Sequence, residues 1–277
     1  MAVKYSARSH VGKVRENNED NLFVDGIILS PETCDCPFEI DGSTSLPAIF
    51  AVCDGMGGEE NGELASLLAV QTLSSISERI KSAAPEELNE AIQSYVEKVN
   101  EAIHSALSEH NARTGTTLAL VIAAESMIHC FSIGDTRIYN LQESVFRQIS
   151  NDHTLAAEQI RNGAAASNQA IIGNDRNKLT RCIGIGDECI AESYPPIIGK
   201  CRILICSDGL TDMVSMAEIK NLLCISERTT DAANSLLYSA LKNGGNDNVT
   251  LIVIDIKDSK IPLFRRFAKR LKGYSKA

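Results

Sequence analysis

The feature that most restricts the fold is a change of hydrophobic period near the middle of the chain. Ala65, Ala69, Leu73, Ile76 and Ile80 recur at steps of three and four, as do Leu88, Ile92, Tyr95, Val99, Ala102 and Ala106 behind Pro85. That spacing predicts two consecutive amphipathic helices, the second started by its proline. Beyond them the apolar runs shorten to strand length. Residues 116–124, 127–133 and 136–141, joined by tight polar links, predict an antiparallel meander. Helices in a consecutive pair and strands in a group are incompatible with strict βαβ alternation. The expected class is α+β, with helices covering antiparallel sheets.

The rest of the chain fills in around this pattern, with no internal repeat. Residues 23–29 and 48–53 read as strands separated by a turn-rich insertion, residues 30–47. Residues 152–162 read as a helix, and 163–178, rich in Ala, Asn and Gly, as a mobile surface excursion. A strand over 201–206 is followed by a short helix to Leu223, opened by a capping box of Ser215 and Glu218. A helix over 230–243 stops at Gly244 and Gly245, and 249–256 is a last buried strand.

Composition excludes several classes. In 277 residues, 44% hydrophobic and 23% charged, no apolar run approaches the roughly 18 residues of a membrane span. The first twenty residues alternate polar and apolar without the apolar core of a secretory signal, so a soluble, cytoplasmic protein is expected. Cys53, Cys130, Cys201 and Cys206 sit inside apolar runs, where a thiol behaves as a small hydrophobe. Cys34 and Cys36 form one close pair without a second at zinc-site spacing, so a reducing compartment is the simple expectation.

The net charge of −9 is uneven. Residues 257–277 hold eight Lys/Arg against one Asp, which leaves −16 on residues 1–256. An acidic body is unsuited to nucleic acid and suited to cations. In the basic segment Phe264, Phe267, Ala268 and Leu271 share a helical face, with Arg265, Arg266, Lys269, Arg270 and Lys272 over the rest. This predicts an amphipathic tail suited to an anionic membrane or an acidic protein surface.

Chemistry is signalled by acids at strand ends. Four Asp-Gly pairs occur, at Asp25, Asp41, Asp54 and Asp208. The pairs at Asp25 and Asp41 read as ordinary turns. Those at Asp54 and Asp208 each end a wholly apolar run, where a carboxylate is rigid and half desolvated unless a cation compensates it. Asp247 stands just before the last strand, and Glu19 and Asp20 just before the strand at 21–29. Oxygen donors from four distant segments, without paired His or Cys, describe a hard-cation site for Mg²⁺ or Mn²⁺. Two such ions can activate a water and clamp a phosphoryl oxygen. The alternative reading of Asp54–Gly58 as a phosphate-cradling loop lacks the Lys and Ser/Thr of a Walker motif. His104, His110 and His129 read as surface or packing residues, and no G-x-S-x-G elbow is present.

The ordered set resembles a known family. Arg15-x-x-x-Glu19-Asp20, Asp54-Gly-Met-Gly-Gly58, Gly62-Glu-x-Ala-Ser66, Gly115-Thr-Thr117, Gly134-Asp-Thr-Arg137, Asp152-His153, Leu179-Thr-Arg181, Cys206-Ser-Asp-Gly-Leu210 and Gly245-Asn-Asp-Asn-Val249 follow one another over residues 1–256. Together they resemble the metal-dependent serine/threonine protein phosphatases (type 2C, or PPM), in particular the compact bacterial ones. The resemblance implies a sandwich of two antiparallel sheets flanked on both faces by helix pairs. It implies that Asp54 bridges two Mn²⁺ or Mg²⁺ ions with the Gly55 carbonyl as a further ligand. Asp208 and Asp247 would hold the first ion, Glu19 or Asp20 would orient water on the second, and Asp135 would bind a third, looser one. Arg15 matches the arginine that grips the substrate phosphate, and 163–178 matches the flap beside the active site. The activity implied is hydrolysis of phosphoserine and phosphothreonine on proteins, the targets of a Ser/Thr kinase, by direct attack of a metal-bridging hydroxide.

Departures and alternatives remain at this level. Met56 stands where some members carry a general-acid His, and Glu59 where bacterial relatives commonly carry His. The 30–47 insertion and the basic tail (257–277) lie outside the family pattern, so the division expected is a catalytic domain over 1–256 and a tail. A non-catalytic phosphoprotein-binding member of the same fold, or a phosphatase of small phosphate esters, are the competing readings.

Overall fold

Residues 48–53 are apolar at every position because both faces of their strand are covered. In the computed structural model, which describes residues 2–30, 37–57, 61–107, 114–124, 127–161, 178–186 and 189–256, they belong to strand β5 (Ala48–Met56). Ile49, Ala51 and Cys53 point to a helical layer, while Ala48, Phe50 and Val52 point between two sheets. β7 (Leu118–Ala123) divides in the same way, with Leu118, Leu120 and Ile122 against Ala119, Val121 and Ala123. So does β13 (Val249–Ile256), with Val249, Leu251 and Val253 outward and Ile252, Ile254 and Ile256 inward. A period of two with both faces buried produces an unbroken apolar run.

One sheet runs β10 (Val145–Gln148), β9 (Arg137–Gln142), β12 (Cys201–Cys206), β13, β1 (Ala2–His10), β4 (Phe38–Ser45). The other runs β11 (Glu192–Ser193), β8 (Ile128–Ile133), β7, β5, β2 (Asp20–Val24), β3 (Ile27–Ile28), with the short β6 (Gly115–Thr116) on the end of β5. Every pairing is antiparallel. α1 (Gly62–Ser82) and α2 (Leu88–Leu107) cover the second sheet, fixed to each other by the buried Tyr95 hydroxyl donating to the Ala69 carbonyl at 3.0 Å. α5 (Met216–Ile225) and α6 (Thr229–Lys242) cover the first. α3 (Leu155–Arg161) and α4 (Asp208–Thr211) are short. The expected α+β sandwich is the fold observed.

Several expectations change. β7 and β8 form a hairpin, but the third run of the expected meander crosses to the other sheet, where β9 pairs with β10 and β12. The crossing turn contains Gly134 at φ +95°, a conformation open to glycine. The insertion at 30–47 is not merely turn-rich: Phe38–Ser45 is an edge strand on β1. β1 has no counterpart among the expected strands, although residues 3–8 alternate apolar and polar in the manner of a half-buried strand. Val3, Tyr5 and Ala7 enter the sandwich, while Ser6 and Arg8 lie under α6 and are satisfied there by Thr229 at 2.8 Å and Asn234 at 2.7 Å. Asp41 is no turn residue but a strand residue whose two oxygens receive the buried Arg8 guanidinium at 3.1 and 3.3 Å. Asp25 (φ 47°) and Gly26 (φ 107°) do form the two-residue turn between β2 and β3.

Ser215 caps α5 through the Glu218 amide at 3.3 Å, but the Glu218 carboxylate accepts from Ser239 on α6 instead of closing the box. The helix expected over 152–162 begins only at Leu155, since Asp152 and His153 are engaged elsewhere. Cys53, Cys130, Cys201 and Cys206 are buried free thiols as expected. His104 is exposed and His129 partly buried, its pKa lowered by burial. Cys34, Cys36, Glu59, His110, residues 163–177 and residues 257–277 lie outside the described residues. Among the described residues no helix is long and apolar enough to cross a membrane.

Candidate active site

The acids flagged in the sequence meet where strands from both sheets end. Asp54 lies two residues before the end of β5 (Met56) and stands opposite Asp20, the first residue of β2. Its backbone is clamped from both sides: its N–H donates to the Thr117 hydroxyl at 2.9 Å, and its carbonyl accepts the Thr117 N–H at 2.8 Å and the Thr116 hydroxyl at 3.0 Å. From the other sheet, Asp208 follows β12 and opens α4, and Asp247 precedes β13.

The glycines after Asp54 and Asp208 explain why these pairs are not turns. A Cβ on Gly55 would lie 2.0 Å from the Gly62 carbonyl oxygen and 2.6 Å from that of Glu19. A Cβ on Gly209 would lie 2.0 Å from the Asn248 carbonyl oxygen. In both cases glycine allows a neighbouring backbone to press against the strand end.

These residues line a cavity of about 530 Å³ with Arg15, Glu19, Asp135, Thr117 and Lys178. The Arg15 guanidinium donates to Asp247 Oδ2 at 2.8 Å. Asp20 is set behind the cavity, 2% exposed; its Oδ2 accepts from the Ser207 hydroxyl at 2.7 Å and its Oδ1 has no hydrogen-bond partner among the described residues. Of the predicted set, then, Arg15, Glu19, Asp54, Gly55, Asp135, Asp208 and Asp247 share the cavity, and Asp20 supports it from below.

Crowded carboxylates in a poorly solvated place resist ionisation. Burial first, then Asp20, Asp208, Asp135 and Asp247, push Asp54 well above the usual carboxylate range. Burial and the neighbouring acids raise Asp20 and Asp135 to about 7 and Asp208 to about 6. As the side chains stand, no three His, Cys, Asp or Glu among the described residues are close enough together to hold an ion between them. The acids are spread around the cavity wall instead. The donors are hard oxygens throughout, and Mg²⁺-like ions need only one or two carboxylates because they retain several waters.

Sequence reasoning gave no role to four residues that build the site. Asn248 accepts the Glu19 N–H at 2.8 Å and donates to the Val11 and Asn17 carbonyls at 2.9 Å, stapling the 11–19 loop to the start of β13. Ser207 and Thr117 position Asp20 and Asp54 as described. His153, fully buried, accepts the Gly134 N–H on Nδ1 at 3.0 Å, so its Nε2 carries the proton bound to Glu192 at 2.7 Å. Asn248, Ser207, Thr117 and His153 all fall within the motifs quoted above, but none is an acid, and acids at strand ends are the conspicuous signal.

Comparison with known proteins shows the family and the fold. The family model described as protein phosphatase 2C matches residues 33–241. A serine/threonine phosphatase stp of Listeria innocua is 32% identical over 252 residues, covering 90% of this chain and 94% of the relative. The solved structure of the Mycobacterium tuberculosis serine/threonine phosphatase PstP/Ppp is similar with a TM-score of 0.75 at 29% identity, over 93% of this chain and all of that one. The catalytic domain of PstP in complex with two manganese ions is similar with a TM-score of 0.73 at 30% identity, over 93% and 99%.

Proposed function

This chain belongs to the protein phosphatase 2C family and is a metal-dependent serine/threonine protein phosphatase, and from that premise we propose how its cavity works. Asp54, the Gly55 carbonyl, Asp208 and Asp247 would hold two divalent cations, Mn²⁺ or Mg²⁺; Glu19 or Asp20 would orient water at the second, and Asp135 would serve a third, looser position. The fit rests on this chain's own chemistry: an all-oxygen donor set, carboxylates held above their usual range by one another, and an orphaned buried oxygen on Asp20. Such a set lacks positive charge. When bound, the cations supply Lewis acidity toward phosphoryl oxygens and lower the pKa of water.

The remaining work falls to side chains. Arg15 exchanges its bond to Asp247 for the phosphoryl oxygens, and its planar fork orients the group for in-line displacement. The oxygen of water bonds to phosphorus as the bond to the Ser or Thr oxygen breaks. That oxygen takes a proton and leaves as the free hydroxyl, with inorganic phosphate as the second product. Met56 carries no proton to give and His153 is sealed from the cavity, so water delivers it. Cys182 lines the cavity, but burial raises its thiol to about 11, which leaves it a poor nucleophile and no route to a phosphoenzyme.

The single observation that carries this reading is the meeting of Asp54, Asp208 and Asp247 from two different sheets around one cavity with Arg15. The presence of every expected acidic position disfavours the non-catalytic reading, and the serine/threonine phosphatase relatives favour a phosphoprotein substrate over small esters. Hydrolysis of a phosphothreonine peptide, titrated with Mn²⁺ and Mg²⁺ in turn, tests it. Asp208→Asn at wild-type rate and wild-type cation stoichiometry by calorimetry would overturn the ligand assignment.

The substrates proposed are phosphoproteins made by a Ser/Thr kinase, and the place of work is the cytoplasm. Residues 1–256 act as the catalytic domain. Residues 257–277 act as a basic amphipathic tail that engages an anionic membrane or an acidic protein surface, at roughly 1 kcal/mol per basic residue near such a surface. Equal co-sedimentation of full-length and truncated protein with anionic vesicles at low salt would remove the membrane reading.

A further inference from the structure

We infer that Lys178 forms a subsite for an acidic side chain beside the phosphorylated residue, so that acid-flanked phosphosites are preferred. The inference rests on the phosphatase reading of the cavity. At about 530 Å³ the cavity is far larger than a phosphoryl group. Its lining combines the carboxylates with the apolar Met56, Leu179 and Ile185 and with Lys178, which directly precedes Leu179 in the chain.

Among the described residues, Arg15 and Lys178 are the cations that line this space. Arg15 is bonded to Asp247 at 2.8 Å and is assigned to the phosphoryl group. The Lys178 ammonium makes no ion pair with any described residue. Its backbone is nonetheless anchored: the Lys178 carbonyl accepts the Leu155 N–H at 2.9 Å, Leu179 bridges to Thr154, and the Thr180 N–H donates to the His153 carbonyl at 2.8 Å. A flexible four-carbon stem thus stands on a fixed base in the lining of the cavity assigned to the phosphoresidue. Once cations offset the carboxylates, Lys178 is the uncompensated charge in the lining. A carboxylate on the peptide is its natural partner.

The test uses two phosphothreonine peptides differing only in Glu or Gln on either side of the phosphoresidue. Wild type should favour the Glu peptide in kcat/KM by about three- to fivefold, the scale of one partly exposed ion pair. The preference should lie in KM, because the contact is the same before and at the transition state. Lys178→Gln should bring the ratio to about one, Lys178→Glu should invert it, and Lys178→Arg should retain it. A ratio of one in wild type, or a ratio that Lys178→Gln leaves unchanged, overturns the inference alone. If wild type hydrolyses neither peptide at any Mn²⁺ concentration, the phosphatase reading falls and takes the inference with it.

Discussion

Replacing Asp208 by Asn should make the metal-free protein more stable while abolishing its activity. The two shapes are nearly identical, so the change is electrostatic. In the folded protein, burial and the nearby Asp247 raise the Asp208 pKa from 3.8 to about 6. Because the folded value lies above the unfolded one, the penalty is absent below about pH 4, grows as pH rises to 6, and is complete at pH 7.5. Two units correspond to about 3 kcal/mol. One side of Asp208 faces the cavity and is screened by solvent, so about 1–2 kcal/mol is expected. For a domain of this size that is a rise in Tm of roughly 2–8 °C. The assay is thermal unfolding in chelator at pH 7.5 and again at pH 4, where the difference should vanish. Saturating Mn²⁺ should reverse the order, since wild type gains about 2.7 kcal/mol at a hundredfold excess over Kd and the variant gains less. A variant less stable than wild type in chelator at pH 7.5 would refute the reasoning. Asp208 would then be satisfied by protein donors and not held in readiness for a cation.

Arg15→Ala should raise KM for a phosphopeptide more than it lowers kcat, by steady-state kinetics, because grip on the phosphoryl group is lost while the cation ligands remain. Gly55→Ala should destabilise by about 1–3 kcal/mol in urea unfolding and weaken cation binding, because the new methyl would meet the Gly62 carbonyl at 2.0 Å. His153 is held neutral by burial, with its folded pKa below 6.5, so the unfolded chain binds the extra proton. Stability measured in saturating Mn²⁺, which mutes the carboxylate contribution, should therefore fall as pH drops below 6.5, and His153→Gln should flatten that slope.

The sequence made legible what combines strong periodicity with full burial. β5, β7 and β13 are apolar on both faces and could be found; α1 and α2 show one apolar stripe each. What hid was structure stabilised by polar burial. β1 carries Ser6 and Arg8 on the face under α6, and β4 carries Asp41 as the partner of that arginine, so neither forms the continuous apolar run that marks β5, β7 and β13. The sheet to which β9 belongs was hidden too, because β8 and β9 are both short strand-like runs whose sequences do not say which partner each pairs with. At the site, charged residues at strand ends were conspicuous. Asn248 and Thr117 were not, because a neutral residue that aligns a backbone leaves no trace in composition.

The place of β1 has a consequence for how the molecule is made. β1, the earliest of the described strands, pairs with β13, the last, through contacts such as His10 with Val249. At 5–20 residues per second, roughly 10–50 s separate their emergence. Through that interval one edge of β1 has no partner, and Asp247 has not arrived to face Asp54. A nascent chain therefore cannot strip phosphate from passing proteins, however well its second sheet has formed. Synthesis itself withholds activity until nearly the whole of residues 1–256 is in place. For that time the edge of β1 stays open, and a chaperone or a neighbouring nascent chain competes with β13 for it.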